Sequence, residues 1–201
     1  MSTTLQPTGN STSTWQLDAA HTSVEFAVRH LMISTVKGRF GDVSGTLTGS
    51  LDDPHSVSAD ITIGVESIDT RQGQRDAHLR SPDFFDALKW PTIRFNGNRI
   101  EGDVNGDFSL VGDLTIRDVT REVKLDVTNE GSVKDPWGSS RIGFSAKTKI
   151  DRRDFGLTWN QALETGGIVV GDEIKISVDA EFTAVSGEIS AAAWALEDAR
   201  W

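Results

Sequence analysis

From Trp15 onward the chain alternates apolar and polar residues with a period of two, the pattern of β-strands that bury one face and wet the other. Val24, Phe26, Val28 and His30 share one side of the first long run, while Glu25 and Arg29 share the opposite side. The next runs place Val43, Gly45, Leu47 and Leu51 on one face, then Val57, Ala59, Ile61, Ile63 and Val65. Later segments repeat the arrangement with Ile93 and Phe95; Phe108, Leu110, Leu114 and Ile116; and Val123, Leu125 and Val127. Two more carry Ile142, Phe144, Ala146 and Ile150, and Ile174, Ile176, Val178, Ala180 and Phe182, which makes about eight strands.

Turn chemistry separates the runs. Asp52-Asp53-Pro54, Asn96-Gly97-Asn98, Asn105-Gly106-Asp107 and Asp135-Pro136-Trp137-Gly138 combine residues that tolerate left-handed backbone with prolines that fix φ, so hairpins are expected at each. So many amphipathic strands, with little helix to cover them, bury their apolar faces and lose their edges by closing on themselves. The pattern therefore predicts an all-β fold, an eight-stranded antiparallel barrel, with a two-sheet sandwich as the other closure.

Two segments break the alternation. Residues 72–88 carry Arg75, Asp76, Leu79, Phe84, Phe85 and Leu88 around Pro82, which predicts one or two short helical turns between the third and fourth strands. In the Ala-rich residues 186–201, Ile189, Ala193 and Leu196 fall at helical spacing, with Trp194 and Trp201 seven apart, the pattern of an amphipathic C-terminal helix. Residues 1–14 form a polar tail, residues 15–185 the domain and residues 186–201 the second tail; no short internal repeat is present.

Charge and composition narrow the function classes. A formal net charge of −10 makes nucleic acid an unfavourable partner. The absence of cysteine removes disulfides, thiol catalysis and thiolate metal sites. The first fourteen residues have neither a basic start nor an apolar stretch, so a cytoplasmic location is expected, and Asn10-Ser11-Thr12 is read as a chance sequon; no apolar run is long enough for a transmembrane helix.

The familiar catalytic signatures are missing: the nucleophile elbow, the dinucleotide fingerprint, the phosphate loop and the two-histidine zinc helix. His21, His30, His55 and His78 show no paired metal-ligand spacing, so no catalytic residue, metal or cofactor is assigned. His30 follows Phe26 and Val28 on one face, where an imidazole needs a hydrogen-bond partner and serves either the structure or a ligand. Arg75-Asp76 and Arg152-Arg153-Asp154 pair opposite charges in loops, which pins loops more often than it binds anions. Asp83 and Asp86, flanking an aromatic pair, suit the cap of a helical turn.

The run Asp18-x-x-His21-x-Ser23-x-x-Phe26-x-Val28-x-His30 resembles the opening signature of the YceI-like proteins. Gly38-x-Phe40, Ser67-Ile68-Asp69-Thr70, Arg75-Asp76-x-His78-Leu79, Phe84-Phe85-Asp86 and Pro91-x-Ile93-x-Phe95 follow in that family's order. So do Gly112-x-Leu114-Thr115-Ile116, Val119-Thr120-x-x-Val123 and Ile150-Asp151-Arg152-x-Asp154-Phe155-Gly156, so the resemblance spans roughly Trp15 to Phe182. Three departures stand out: no secretory signal such as many members carry, Asp118 in place of a common turn glycine, and the Ala/Trp tail.

The resemblance implies a lipocalin-like eight-stranded barrel with a long apolar pore, polyprenyl or quinone-like chains as ligands, and a homodimer. On that footing the expected pore lining is Val24, Phe26, Val28, His30, Phe40, Leu47, Ile61, Ile63, Ile93, Phe95, Leu114, Ile116, Leu125, Ile142, Phe144, Ile176 and Val178. His30, Arg75 and Arg152 are the head-group candidates. The expected function is carriage, storage or sequestration of an isoprenoid lipid without catalysis. The alternatives are a protein-interaction module with a filled barrel and a hydrolase or isomerase built on His30 or His21 with a nearby Asp.

Overall fold

Short interruptions divide three of the barrel's staves, and the residues at each break show why. In the computed structural model, which describes residues 12–50, 53–162 and 169–185, β1 (Thr12–Leu17) gives way to β2 (Ser23–His30) across a single 3₁₀ turn, Ala19–His21. Asp18 caps that turn by accepting from the Ala20 N–H at 3.0 Å. Gly41 and Asp42 separate β3 (Ser34–Phe40) from β4 (Val43–Ser50), and the turn Val65–Ser67 separates β5 (Asp53–Gly64) from β6 (Ile68–Asp69). Pairing carries on across the breaks: β1 lies on β4 and β2 on β3, while β4 lies on β5 and β3 on β6.

The remaining staves are continuous: β7 (Thr92–Gly102), β8 (Asp107–Ile116), β9 (Val119–Lys134), β10 (Ser140–Asp151) and β11 (Val170–Ala184). Each lies antiparallel to its sequence neighbour, an up-and-down meander. Closure falls to β11. One edge pairs with β10 from Arg141↔Thr183 to Asp151↔Glu173; the other takes β2 through Val178↔Val24 and β1 through Phe182↔Leu17. The result is a closed eight-stranded antiparallel barrel.

The helix α1 (Gly73–Arg80) follows the third stave, where the sequence places it. Gln72 caps it by accepting from the Arg75 N–H, and it ends before Pro82, which could not continue an α-helical ladder. The amphipathic pattern of residues 186–201 and the placement of Leu51 lie outside the described residues.

One turn expectation is corrected. Asn96-Gly97-Asn98 is not a hairpin but the middle of β7, where the register on β8 shifts between Gly97 and Arg99. Gly97 faces Gly112 there, and a Cβ on Gly112 would stand 2.3 Å from the Asn96 carbonyl oxygen. The glycines serve close backbone approach and not chain reversal. In the β8–β9 hairpin, the left-handed residue is Arg117 (φ 58°) and not Asp118, so the missing family glycine is not where the turn is strained.

Candidate ligand cavity

Alternation along the staves sends one set of side chains inward, yet these side chains do not fill the space they enclose. Val65, Ile68 and Phe155 are nearly inaccessible, whereas the inward-facing Phe26, Ile61, Ile63, Leu125, Phe144 and Val178 are only half-buried. What they face is an internal cavity of about 530 Å³, within the range that holds small ligands. Its wall is mostly aliphatic and aromatic, and aromatic contacts such as Phe26–Phe40 at 5.7 Å and Phe144–Phe182 at 6.2 Å brace it.

One end is shut. Here α1 and the chain after it deliver Leu79, Phe84 and Phe85, and the segment after β10 delivers Arg152 and Leu157. Phe85 packs edge-on to Phe40 at 6.0 Å, and Phe84 meets Trp159 at 5.3 Å and the ring of His78 at 5.1 Å. Buried Asp76 holds α1 to the barrel by accepting from both the backbone N–H and the hydroxyl of Thr70.

At the other end the apolar wall gives way to Thr48, Ser50, Asn105 and Asn129. Asn105 is exposed, so this polar end of the wall reaches solvent. Asn129 donates to the Val104 carbonyl at 2.9 Å and accepts from the Gly131 N–H at 2.9 Å, which fixes the rim of β9 against the β7–β8 turn.

Every residue of the expected lining borders this cavity except His30. His30 pairs with Ser34 and Val170 at the last rung of β2, and the register of β11 shifts between Val170 and Ile174, so the ladder passes the closed end before it reaches the imidazole.

The two arginines proposed for a head group serve the backbone instead. Arg75 is exposed and donates from Nε to Thr70 Oγ1 at 2.7 Å and from Nη2 to Thr70 O at 2.8 Å, away from the cavity. Arg152 borders the cavity at 3% exposure, with donors turned to the carbonyls of Leu157, Trp159 (2.9 Å), Val170 (3.4 Å) and Gly171 (3.0 Å) and to Asp172 Oδ1 (3.0 Å). A guanidinium has five N–H groups, so none is left for a ligand. Burial pushes its pKa below the ordinary arginine value, and Asp172 opposes that shift. Asp83 binds His78 at 2.8 Å, and Asp86 takes a left-handed φ of 50°; neither caps α1.

Wall positions outside the expected set have readable causes. Ile100 lies inward because the irregularity near Gly97 shifts the parity set by Ile93 and Phe95. Trp15 and Leu17 are inward at odd numbers and Val24, Phe26 and Val28 at even ones, because the turn Ala19–His21 lies between them. Asn129 simply continues Val123, Leu125 and Val127, and its polarity hid it. Leu79, Phe84, Phe85 and Leu157 come from segments without strand alternation.

Among the described residues, one grouping has the composition of a metal site: Asp18, His21 and Glu181. His21 Nδ1 lies 2.9 Å from Asp18, an exposed pair, and Arg141 donates to both carboxylates, so a cation already occupies their midst. The same pair is the His21–Asp arrangement that a hydrolase reading requires, and neither residue borders the cavity.

A meander of eight antiparallel staves that closes on itself around an unfilled apolar interior defines an up-and-down β-barrel. The chain belongs to the YceI-like family: the family model described as the YceI-like domain matches residues 15–182. It is 38% identical over 167 residues to a UPF0312 protein of Staphylococcus aureus (strain N315), covering 83% of this chain and 95% of that one. The same figures hold for a UPF0312 protein of the MW2 strain.

Among solved structures, a Campylobacter jejuni YceI protein is 33% identical with a TM-score of 0.65, covering 77% of this chain and 88% of that one. Burkholderia cenocepacia BcnA is 23% identical with a TM-score of 0.69, covering 82% and 98%. A polyisoprenoid binding domain from Saccharophagus degradans, implicated in plant cell wall breakdown, is 15% identical with a TM-score of 0.62, covering 85% and 98%. The last two likenesses concern the fold alone. Among the described residues no helix is long and apolar enough to cross a membrane.

Proposed function

We propose that the protein binds a long isoprenoid lipid, polyprenyl or quinone-like, inside the barrel and carries, stores or sequesters it without chemical turnover. The observation that carries this reading is the unfilled cavity of about 530 Å³ with an aliphatic and aromatic wall. Among the described residues the single acidic one along it, Glu25, is exposed. An alkenyl chain would meet methyl and aromatic surface there and leave no buried charge unpaired.

Length agrees. From Phe108 to Ile116 on β8 the wall runs eight residue steps, which at ~3.3 Å each and a strand tilt of ~40° gives about 20 Å along the barrel axis. Burying ten carbons of an isoprenoid yields roughly 8 kcal/mol before association costs, so chain length alone supplies useful affinity. The fold it shares with a polyisoprenoid binding domain is consistent with this reading. The unfilled volume favours this reading over an interaction module with a plugged barrel. Cytoplasmic residence and assembly as a homodimer belong to the same proposal; cell fractionation and analytical sedimentation test them.

Native mass spectrometry of freshly purified protein, followed by organic extraction, tests the central claim. The expected result is one lipid per chain that extracts as an isoprenoid. A barrel that stays empty even after incubation with prenyl lipids overturns the reading.

A further inference from the structure

Resting on the isoprenoid reading, we infer that the barrel selects lipids whose head group is uncharged, such as a quinone or an alcohol, and rejects the prenyl diphosphate of the same chain length. A diphosphate needs cations or a cluster of free N–H donors to replace its hydration. The cavity wall supplies neither. Among the described residues its one cation, Arg152, sits at the closed end with its donors turned to four backbone carbonyls and Asp172.

The open end is worse for an anion. Its polar wall is hydroxyl and amide, Thr48, Ser50, Asn105 and Asn129, chemistry that suits a carbonyl or hydroxyl oxygen. Carboxylates stand beside it with neutral donors as their described partners: Asp103 accepts from Asn105, Asp107 from Thr128 Oγ1 at 2.6 Å, and Glu130 from Ser145 Oγ at 2.7 Å. No counter-ion cancels them among the described ion pairs. The cations toward this end are engaged by carboxylates or stand outside the wall: Arg99 and Lys124 both reach Glu101, and Arg99 also reaches Glu122. Arg141 is held by Asp18, Asp135 and Glu181, and Lys134 is exposed on the last rung of β9 with β10, outside the cavity wall. The whole chain adds a net charge of −10, so a diphosphate at the mouth meets a field of its own sign.

The test compares a prenyl quinone, a prenol and a prenyl diphosphate of one chain length on the full chain, read by quenching of tryptophan fluorescence, since Trp15 borders the cavity. The expected result is that the quinone and the prenol bind and the diphosphate binds at least about tenfold more weakly at low salt, with the gap narrowing as salt screens the rim. The double variant Asp103→Asn, Asp107→Asn keeps acceptor oxygens for the turn and should narrow the same gap without salt. A diphosphate that binds as well as the quinone overturns the inference, and so does a gap that neither salt nor the double variant moves. Failure of all three ligands to bind is a different result: it overturns the isoprenoid reading itself, and this inference with it.

Discussion

Arg141 Nη1 stands 2.8 Å from Asp18 Oδ2, joining residues 123 positions apart in sequence. The same guanidinium donates to Asp135 Oδ2 at 2.9 Å and to Glu181, so one side chain ties the break between β1 and β2 to the β9–β10 hairpin and to β11. That knot lies where β11 passes from β2 to β1, the place where a closed sheet would otherwise open.

The knot makes stability depend on acid. Hydrogen bonds from His21 and Arg141 hold the Asp18 carboxyl at about 2, below its ordinary 3.8, and the hydrogen bond from Arg141 lowers Asp135 as well. A carboxyl depressed by folding contributes stability above its unfolded value and loses it as pH falls through its folded one. Asp18→Asn should therefore be less stable than the parent at neutral pH, with the difference shrinking between about pH 4 and pH 2 and vanishing below that window. Urea midpoints at pH 7, 4, 3 and 2 measure it; a difference that ignores pH sinks the assignment.

Arg152 presents the opposite situation, a buried cation whose value is structural. Removing it as Arg152→Met leaves the carbonyls of Leu157, Trp159 and Gly171 without their donor and Asp172 without one of its two arginine partners, the other being Arg153 at 3.3 Å. The expected loss is about 3–5 kcal/mol in denaturant unfolding, the scale for breaking a buried pair by deleting one partner. Arg152→Lys, with three donors in place of five, should lose less. A head-group role predicts instead a nearly unchanged stability with weakened lipid binding.

How much of this was legible in the sequence follows from parity. Wherever a stave is unbroken, as in β8 or β10, every second residue names the wall, and Leu114, Ile116, Ile142 and Phe144 stand where alternation puts them. Wherever a turn or an irregular rung intervenes, parity resets without a hydrophobic signal. Gly38 and Phe40 are even, Val43 and Leu47 odd, and nothing but Gly41-Asp42 marks the change. Asn96-Gly97-Asn98 reads as a turn because composition cannot distinguish a glycine that reverses the chain from one that lets two backbones touch. The closed end was opaque for another reason: which way Arg75 and Arg152 point is set by carbonyls that come near only after folding.

That close approach gives a sharp comparison between glycines. A Cβ at Gly112 would lie 2.3 Å from the Asn96 carbonyl oxygen and 2.6 Å from Gly97 Cα, both backbone atoms that cannot swing aside. Gly112→Ala should cost about 3 kcal/mol by splitting β7 from β8, at the upper end of overpacking penalties. At Gly106 a Cβ would meet nothing within 4 Å, so Gly106→Ala is the matched control with a stability change near zero. Equal denaturation midpoints for the two variants would show that the β7–β8 contact is looser than described.

The hollow interior itself can be tested by filling it. Ala146 lies on the wall between Val127 of β9 and Val178 of β11, all three bordering the cavity, so a larger side chain there can project into empty space without displacing backbone. Ala146→Phe is expected to keep the far-ultraviolet circular dichroism of the parent and to hold or raise the thermal midpoint of lipid-free protein, because it buries apolar surface in an existing void. The same change removes the volume an alkenyl chain would occupy and should lower isoprenoid retention at least about tenfold, since lost burial of two CH₂ groups already amounts to roughly 1.6 kcal/mol. Retention is read by native mass spectrometry and stability by calorimetry on the same preparation. A variant that folds, stays stable and retains lipid as well as the parent would mean that the ligand lies elsewhere, whereas one that unfolds would mean that the interior is already packed.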